Sequence, residues 1–414
     1  MTVAERDDLD LWEGYGIEIE WMIVDARSLD VRPVADHLLA GVAGHGATEF
    51  EDGAVTWTNE LARHLIEAKS TGPMPTLAGA DAVFASAART INARLAPEGR
   101  CLLPGPMHPW MQPEREFQQF PHGQDAIYRL FDQVFDCRGH GWSNLQSQQI
   151  NLPFHGDASF GRLMAAVRVL MPLLPALTAA SPFVEGAVAG TPNHRLTVYA
   201  GNCARVPSIT AQVIPEPVFT IDAYHELVLA PILRDMAAYD PEGLLDAEWT
   251  NARGAIVRFS RNCIEIRVMD TQECPAADLA LAELVVAVAR GLVEEHWSSH
   301  AAQARMAQDR LVHWYQQAVH HAEGLRVEDR AYLALFDYRS DAASGWQLWE
   351  RLIEQAAAAG SLSAMAGRHC EHWLRHGSLA RRLVQAVGPS VSRSALRPVY
   401  RRMADCLQQN SAFV

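Results

Sequence analysis

The segment Gly16–Asp25, GIEIEWMIVD, alternates apolar and polar residues with a period of two. Ile17, Ile19, Trp21 and Ile23 fall on one face, and Glu18 and Glu20 on the other. A strand with one face against a core satisfies this pattern, and a helix does not. Three further stretches repeat it. In Leu145–Leu152, LQSQQINL, one face carries Ser147, Gln149 and Asn151. In Ala255–Arg261, AIVRFSR, Ile256, Arg258 and Ser260 alternate with Val257, Phe259 and Arg261. In Cys263–Asp270, CIEIRVMD, Ile264, Ile266 and Val268 face the core, with Glu265 and Arg267 opposite. The short connection Arg261-Asn262-Cys263 predicts a hairpin between the last two. Leu65–Ser70 reads either way: a strand puts Glu67 and Lys69 on one face, and a helix puts Glu60 and Glu67 there. Two apolar helices are predicted, over Ser159–Leu177 and Ala277–His296.

Paired carboxylates on a half-buried strand need a physical explanation. Glu18 and Glu20 stand roughly 7 Å apart. At an effective dielectric of about 20 their repulsion is roughly 2 kcal/mol. A solvated sheet face tolerates that, and a polar outward face accounts for any single pair. A buried face needs a cation or a proton. Glu60, Glu67 and Glu265 stand in similar segments, which makes five glutamates across three segments. Such a donor set suits Mg²⁺ or Mn²⁺. Arg258, Arg261 and Arg267 would then grip phosphate or carboxylate oxygens. With Gln149 and Asn151 they form a polar cradle suited to phosphoryl transfer from ATP.

The basic residues narrow the field. Lys69 is the single lysine, beside 34 arginines. No GK dipeptide exists, so no P-loop can form. Lys69 sits in IEAKS, unlike a kinase strand lysine, and it alone could serve a pyridoxal enzyme. The net charge of −14 argues against binding a nucleic-acid backbone. The seven cysteines are odd in number and lack a CxxC, as expected of reduced thiols. MTVAERDDLD shows no apolar leader. The longest apolar stretch, Met164–Gly190, is broken by Arg168, Glu185 and prolines, which argues against a membrane span. A cytoplasmic protein is expected.

Punctuation changes near residue 300. Of 22 prolines, 20 precede it. Residues 1–300 read as a catalytic domain of strands and helices. Residues 301–414 read as a helical region packed on it, with helices over Ala301–Glu323, Trp346–Ala359 and Arg381–Val387. His369, His372 and His376 share a helix face, as do His296 and His300, and without motif partners they read as polar helix faces. Trp346 and Trp349 are expected to face the core. Arg381-Arg382 and Arg401-Arg402 are expected on solvated faces.

Together these segments resemble the glutamate–cysteine ligase family, within the carboxylate–amine ligase group related to glutamine synthetase. GIEIEWMIVD resembles its first strand. Asn59–Pro73, NELARHLIEAKSTGP, resembles the block that carries two glutamates and ends in a Thr-Gly-Pro turn. SQQINL resembles a Thr-x-Gln-x-Asn strand. Leu173–Arg195 resembles a helix, a Ser-Pro-Phe turn and a following arginine. CIEIRVMD resembles a late strand with Glu-x-Arg. The similarity covers roughly residues 13–295.

The resemblance implies an α+β fold in which a twisted antiparallel sheet forms an active-site funnel with helices on its outer face. It implies ATP-dependent amide synthesis with two or three Mg²⁺ ions. A carboxylate, commonly the side-chain carboxylate of glutamate, would be phosphorylated and then attacked by an amine. Carried over by position, Glu18, Glu20, Glu60, Glu67 and Glu265 would be metal ligands, and Arg195 and Arg267 would hold the acid or the phosphoryl group. Gln149, Asn151, Arg258, Arg261 and Lys69 would line the substrate site. The partners would be small-molecule acids and amines, and a homodimer would be in keeping. Three departures stand out: Gln149 replaces a frequent histidine, the Met107–Gln119 loop has no mapped role, and the helical tail has no counterpart. A two-metal hydrolase, or a silent amino-acid- or peptide-binding relative, would use the same glutamates.

Overall fold

The computed structural model describes residues 9–414. The acidic start of the chain, expected to hold no apolar leader, lies almost wholly outside the described residues. Eight strands form the main sheet: β1 (Gly16–Asp25), β2 (Glu49–Asp52), β3 (Val55–Asn59), β4 (Leu65–Ser70), β5 (Arg100–Leu103), β6 (Ser147–Pro153), β7 (Ala255–Arg258) and β8 (Cys263–Asp270). Their order is β2-β3-β4-β1-β6-β8-β7, and β5 pairs with the far half of β1. Every pairing is antiparallel. The fold is therefore α+β with an antiparallel sheet, as expected.

The register explains why one face carries the chemistry. Residues directly opposite in an antiparallel ladder share a face. Glu18 lies opposite Lys69 on one side and Gln149 on the other. Glu20 lies opposite Glu67, which lies opposite Thr58. Glu265 lies opposite Asn151. The reverse face holds Ile17, Ile19, Trp21, Ile150, Leu152, Ile264 and Ile266, all fully buried. Each such side chain contributes about 1.5–3 kcal/mol of burial. Leu65–Ser70 is a strand because β1 and β3 satisfy its backbone from both sides.

Two strand expectations change in detail. β7 stops at Arg258, and Phe259–Arg261 form a single tight turn closed by Asn262 at φ 47°. An asparagine tolerates that left-handed backbone, so the predicted hairpin closes. The turn also frees Arg261 from strict alternation. In β8 the register shifts between Ile266 and Met269, the mark of a bulge. Alternation alone would send Asp270 into the core face. The extra residue places it opposite Ser147, on the polar side.

Helices α1 (Ala80–Leu95) and α2 (Gly156–Leu170) both pack against α3 (Pro275–Val293). The predicted helix over Ser159–Leu177 is interrupted at Met171–Leu173, near two prolines that lack a backbone donor. Gly156–Thr178 is apolar and long enough to cross a membrane, but 94% of its apolar window is buried inside the protein. Arg168 within it donates to Pro215 O at 2.8 Å and Gln308 Oε1 at 2.9 Å.

The helices after residue 300 share this core. Trp349 Nε1 donates to Leu173 O at 2.9 Å, and Tyr332 donates its hydroxyl to Val169 O at 2.8 Å. α4 (Ala364–His376) packs on α3, and α5 (Arg393–Gln409) packs on α1 and β5. The Met107–Gln119 loop also belongs here: Trp110 stacks edge-on against Tyr400 and donates to Asp30 Oδ1 at 2.9 Å. One expectation is overturned. Arg382 is buried, not solvated, and its guanidinium lies 2.6 Å from both Glu273 Oε1 and Phe413 O. Arg381 does face solvent, paired with Glu323.

Candidate active site

A cavity of about 500 Å³ opens on the polar face of the sheet. Glu18, Glu20, Glu67, Lys69, Gln149, Arg258 and Arg267 rise from its floor, and Glu60 enters just beyond β3. A helix at Asp125–Phe135, the turn at Trp142 and the segment 249–252 build an aromatic wall.

The carboxylates converge. Glu20, Glu60 and Glu67 each offer an oxygen within 4.8 Å of the other two. Glu20 is held by Ser147 N at 2.9 Å and by Gln149 Nε2 at 2.9 Å. Glu67 accepts from Thr58 Oγ1 at 2.8 Å. Glu18 accepts from Asn151 Nδ2 at 3.0 Å, with Arg261 at 3.5 Å. Burial raises the pKa of all four. Glu18 is pushed up to about 8, with the charges of Glu67 and Glu265 adding to burial. Burial leads for Glu60 as well, followed by Glu20, Glu67 and Glu18. Glu20 and Glu67 are raised mainly by burial. Carboxylates pressed together in this way are relieved by a divalent cation or by protons.

The floor also holds acceptors that lack a donor. Gln149 Oε1 and Glu265 Oε1 are buried without a hydrogen bond. Arg267 Nε lies 3.0 Å from Glu265 Oε1, an ion contact without hydrogen-bond alignment. The Gln149 oxygen and the three converging carboxylates fit the hard-cation chemistry of Mg²⁺.

Arginines dominate the other half. Arg258 Nε donates to Glu265 Oε2 at 2.8 Å. Burial would raise the Glu265 pKa, but Arg258 and Arg267 outweigh it and hold this carboxyl below its usual range. Two guanidiniums thus share one carboxylate, leaving one positive charge for a ligand anion. Arg195 enters from a helix at His194–Gly201 and donates from Nε to Asp270 Oδ1 at 2.6 Å, both side chains being buried.

The structure brings Glu18, Glu20, Glu60, Glu67, Lys69, Gln149, Arg195, Arg258, Arg261 and Arg267 to one cavity. Asn151 lines an adjoining cavity of about 320 Å³, which shares Glu18, Lys69 and Arg261 with the first. Glu265 lies beneath the arginines and lines neither. Lys69 approaches Glu49 at 4.0 Å, a partner the sequence did not suggest. Sequence reasoning missed Asp270, Thr58 and the aromatic wall. Asp270 had a signal: an aspartate at a core-parity position announces a bulge or a buried partner. Tyr128 and Phe131 gave no signal, since apolar helix positions ordinarily mean core.

The chain matches the model of glutamate-cysteine ligase family 2 over residues 15–402. An uncharacterised protein of Archaeoglobus fulgidus is 35% identical over 282 residues, 68% of this chain and 75% of that protein. A Nocardioides protein named "Putative glutamate--cysteine ligase 2-1" is 28% identical over 302 residues, 69% and 72% of the two chains. Among solved structures, the glutamate–cysteine ligase of Francisella tularensis in complex with AMP superposes with a TM-score of 0.61 at 14% identity, covering 95% of this chain and 88% of that one. A bifunctional glutathione synthetase from Pasteurella multocida gives 0.56 at 13% identity, covering 95% and 52%. At such identities these likenesses speak for the fold.

Proposed function

The chain belongs to glutamate-cysteine ligase family 2, and on that premise we propose that it is an ATP-dependent carboxylate–amine ligase acting on the side-chain carboxylate of glutamate or a similar acid. The observation that carries this reading is one cavity with three converging carboxylates on one side and arginines with a spare positive charge on the other. ATP would supply the phosphoryl group that makes the acid an acyl phosphate, and two or three Mg²⁺ ions would neutralise the triphosphate. Glu20, Glu60 and Glu67 would hold one ion. Glu18 and Gln149 Oε1 offer oxygens for others. Arg267 and Arg258, oriented by Glu265, would grip the acid or the transferred phosphoryl group. Arg195, fixed by Asp270 and 3.5 Å from the Arg267 carbonyl, would do the same beside them. Asn151 and Arg261 hold Glu18 in place, and Lys69 lies within reach of a phosphate. No enzyme nucleophile is needed, and catalysis would be positioning and electrostatics.

The test is ADP release with Mg²⁺ and ATP across a panel of acids and amines, with products weighed by mass spectrometry. Acid-dependent ADP release with a new amide mass is expected. Metal-dependent turnover without ATP consumption would replace the ligase with a hydrolase. Ligand binding without product would point to a silent relative.

A second expectation follows from the carboxylates. Glu18, pushed up to about 8, carries a proton near neutral pH, and a divalent ion bound by the cluster must displace it. Titration calorimetry with Mg²⁺ at pH 7, in buffers of different ionisation enthalpy, is expected to show proton release. The release shrinks as pH rises through about 8, above which Glu18 ionises without the metal. Buffer-independent heats would show that the cluster is ionised beforehand.

A further inference from the structure

The aromatic wall has no part in holding metal or phosphate, yet it faces the same cavity. Trp249 is half-buried and meets Phe131 edge-on, with ring centroids 5.1 Å apart, and Tyr128 at 6.3 Å. Phe131 meets Trp142 at 5.3 Å. Trp142 is fixed by its Nε1 donating to Asn202 O at 3.0 Å. The Tyr128 hydroxyl accepts from Asn59, the neighbour of Glu60. Ring faces beside a carboxylate suit an ammonium group with an apolar body.

The cavity's arginines meanwhile are committed. Arg195 is neutralised by Asp270, Arg261 lies beside Glu18, and Arg258 and Arg267 share Glu265. The one surplus guanidinium charge, with Lys69 within reach of a phosphate, is what the acid and its phosphoryl group require. Among the described residues that line the cavity, a carboxylate on the acceptor would find no guanidinium without a carboxylate already beside it.

We infer that the acceptor is an amine without a carboxylate, carrying an aromatic or bulky apolar group that seats against Tyr128, Phe131, Trp142 and Trp249. In the reaction the amine nitrogen's lone pair forms the C–N bond, and the acyl C–O bond to phosphorus breaks. Phosphate departs with that electron pair, and one proton per turnover passes to solvent from the ammonium.

This inference rests on the ligase reading, so the test has two arms that fail separately. In the first, ADP release with Mg²⁺, ATP and glutamate is compared for glycine, L-cysteine, L-phenylalanine, benzylamine and phenethylamine. The kcat/KM for benzylamine or phenethylamine is expected at least about 50-fold above glycine and cysteine. L-Phenylalanine, which differs from phenethylamine by its carboxylate alone, is expected at least about tenfold below it. Trp249→Ala is expected to raise the KM for phenethylamine about tenfold and leave that for ATP within about twofold, with Trp249→Phe restoring most of it. Cysteine or phenylalanine used as well as phenethylamine overturns the inference and leaves the ligase standing. If no pair releases ADP with glutamate or with any other acid of the panel, the ligase reading falls and the second arm decides. There, phenethylammonium is titrated against the intrinsic tryptophan fluorescence of the Mg²⁺-loaded protein. Saturable quenching that Trp249→Ala loses and Trp249→Phe keeps supports the seat, and an unresponsive signal overturns it.

Discussion

Glu265→Gln is expected to lower kcat on the order of 10³-fold in the ADP-release assay while the protein still folds. Glu265 is fully buried and sits between Arg258, at 2.8 Å, and Arg267, at 3.0 Å. Glutamine keeps the shape and removes the charge. The two guanidiniums then repel across the gap, and neither keeps its aim into the cavity. Lost charge-assisted hydrogen bonds cost about 1.5–3 kcal/mol each, which a chain of this size tolerates as a Tm lower by several degrees. Glu265→Asp retains the charge and is expected to recover part of kcat. Circular dichroism checks the fold, and full activity in a folded Glu265→Gln protein would remove β8 from the site.

Arg382→Ala is expected to give the largest loss of stability, about 3–5 kcal/mol at neutral pH. Its partner Glu273 is fully buried and also accepts from Phe413 N at 3.1 Å. Deleting the arginine strands that carboxylate and leaves Phe413 O without the guanidinium that met it. The pH dependence has a definite sign. Burial pushes the Glu273 pKa up, but Arg382 outweighs it and holds the group below its usual range. The pair's stabilisation is therefore present above the unfolded pKa, near 4.3, and is lost as pH falls through the lower folded value. In the variant burial is opposed only by weaker contacts such as the Phe413 N–H, and the pKa is raised. Its penalty is present at neutral pH and fades in acid as Glu273 takes up a proton. Denaturant unfolding at pH 7 and pH 4 is expected to show the gap between wild type and variant narrowing towards acid. A gap independent of pH would show that Glu273 is not the stranded charge.

Much of the floor of the cavity was legible because a strand has a period of two. Once Gly16–Asp25 is a strand, Glu18 and Glu20 must share a face, and Gln149 and Asn151 must share theirs. Alternation fails wherever the backbone inserts or removes a residue. It misplaced Asp270 because of the bulge in β8. It left Arg258 and Arg261 on opposite faces, because the turn at Phe259–Arg261 was read as strand. It sent Arg382 to solvent, because a charged pair on a helix is ordinarily solvated and Glu273 lies 109 residues away.

The sequence by itself determined the strand faces, the surplus of buried glutamate, the absence of a lysine-based phosphate loop and the family. These follow from local periodicity, residue chemistry and motif order, which need no knowledge of distant partners. Tertiary structure alone decided which carboxylates meet, since the register of β1 against β4 and β6 sets Glu20 beside Glu67 and Gln149. It alone decided that Glu265 and Asp270 aim arginines from beneath the cavity, and that aromatic residues from separated segments form one wall. Those juxtapositions depend on loop closure and sheet register, which no local pattern encodes.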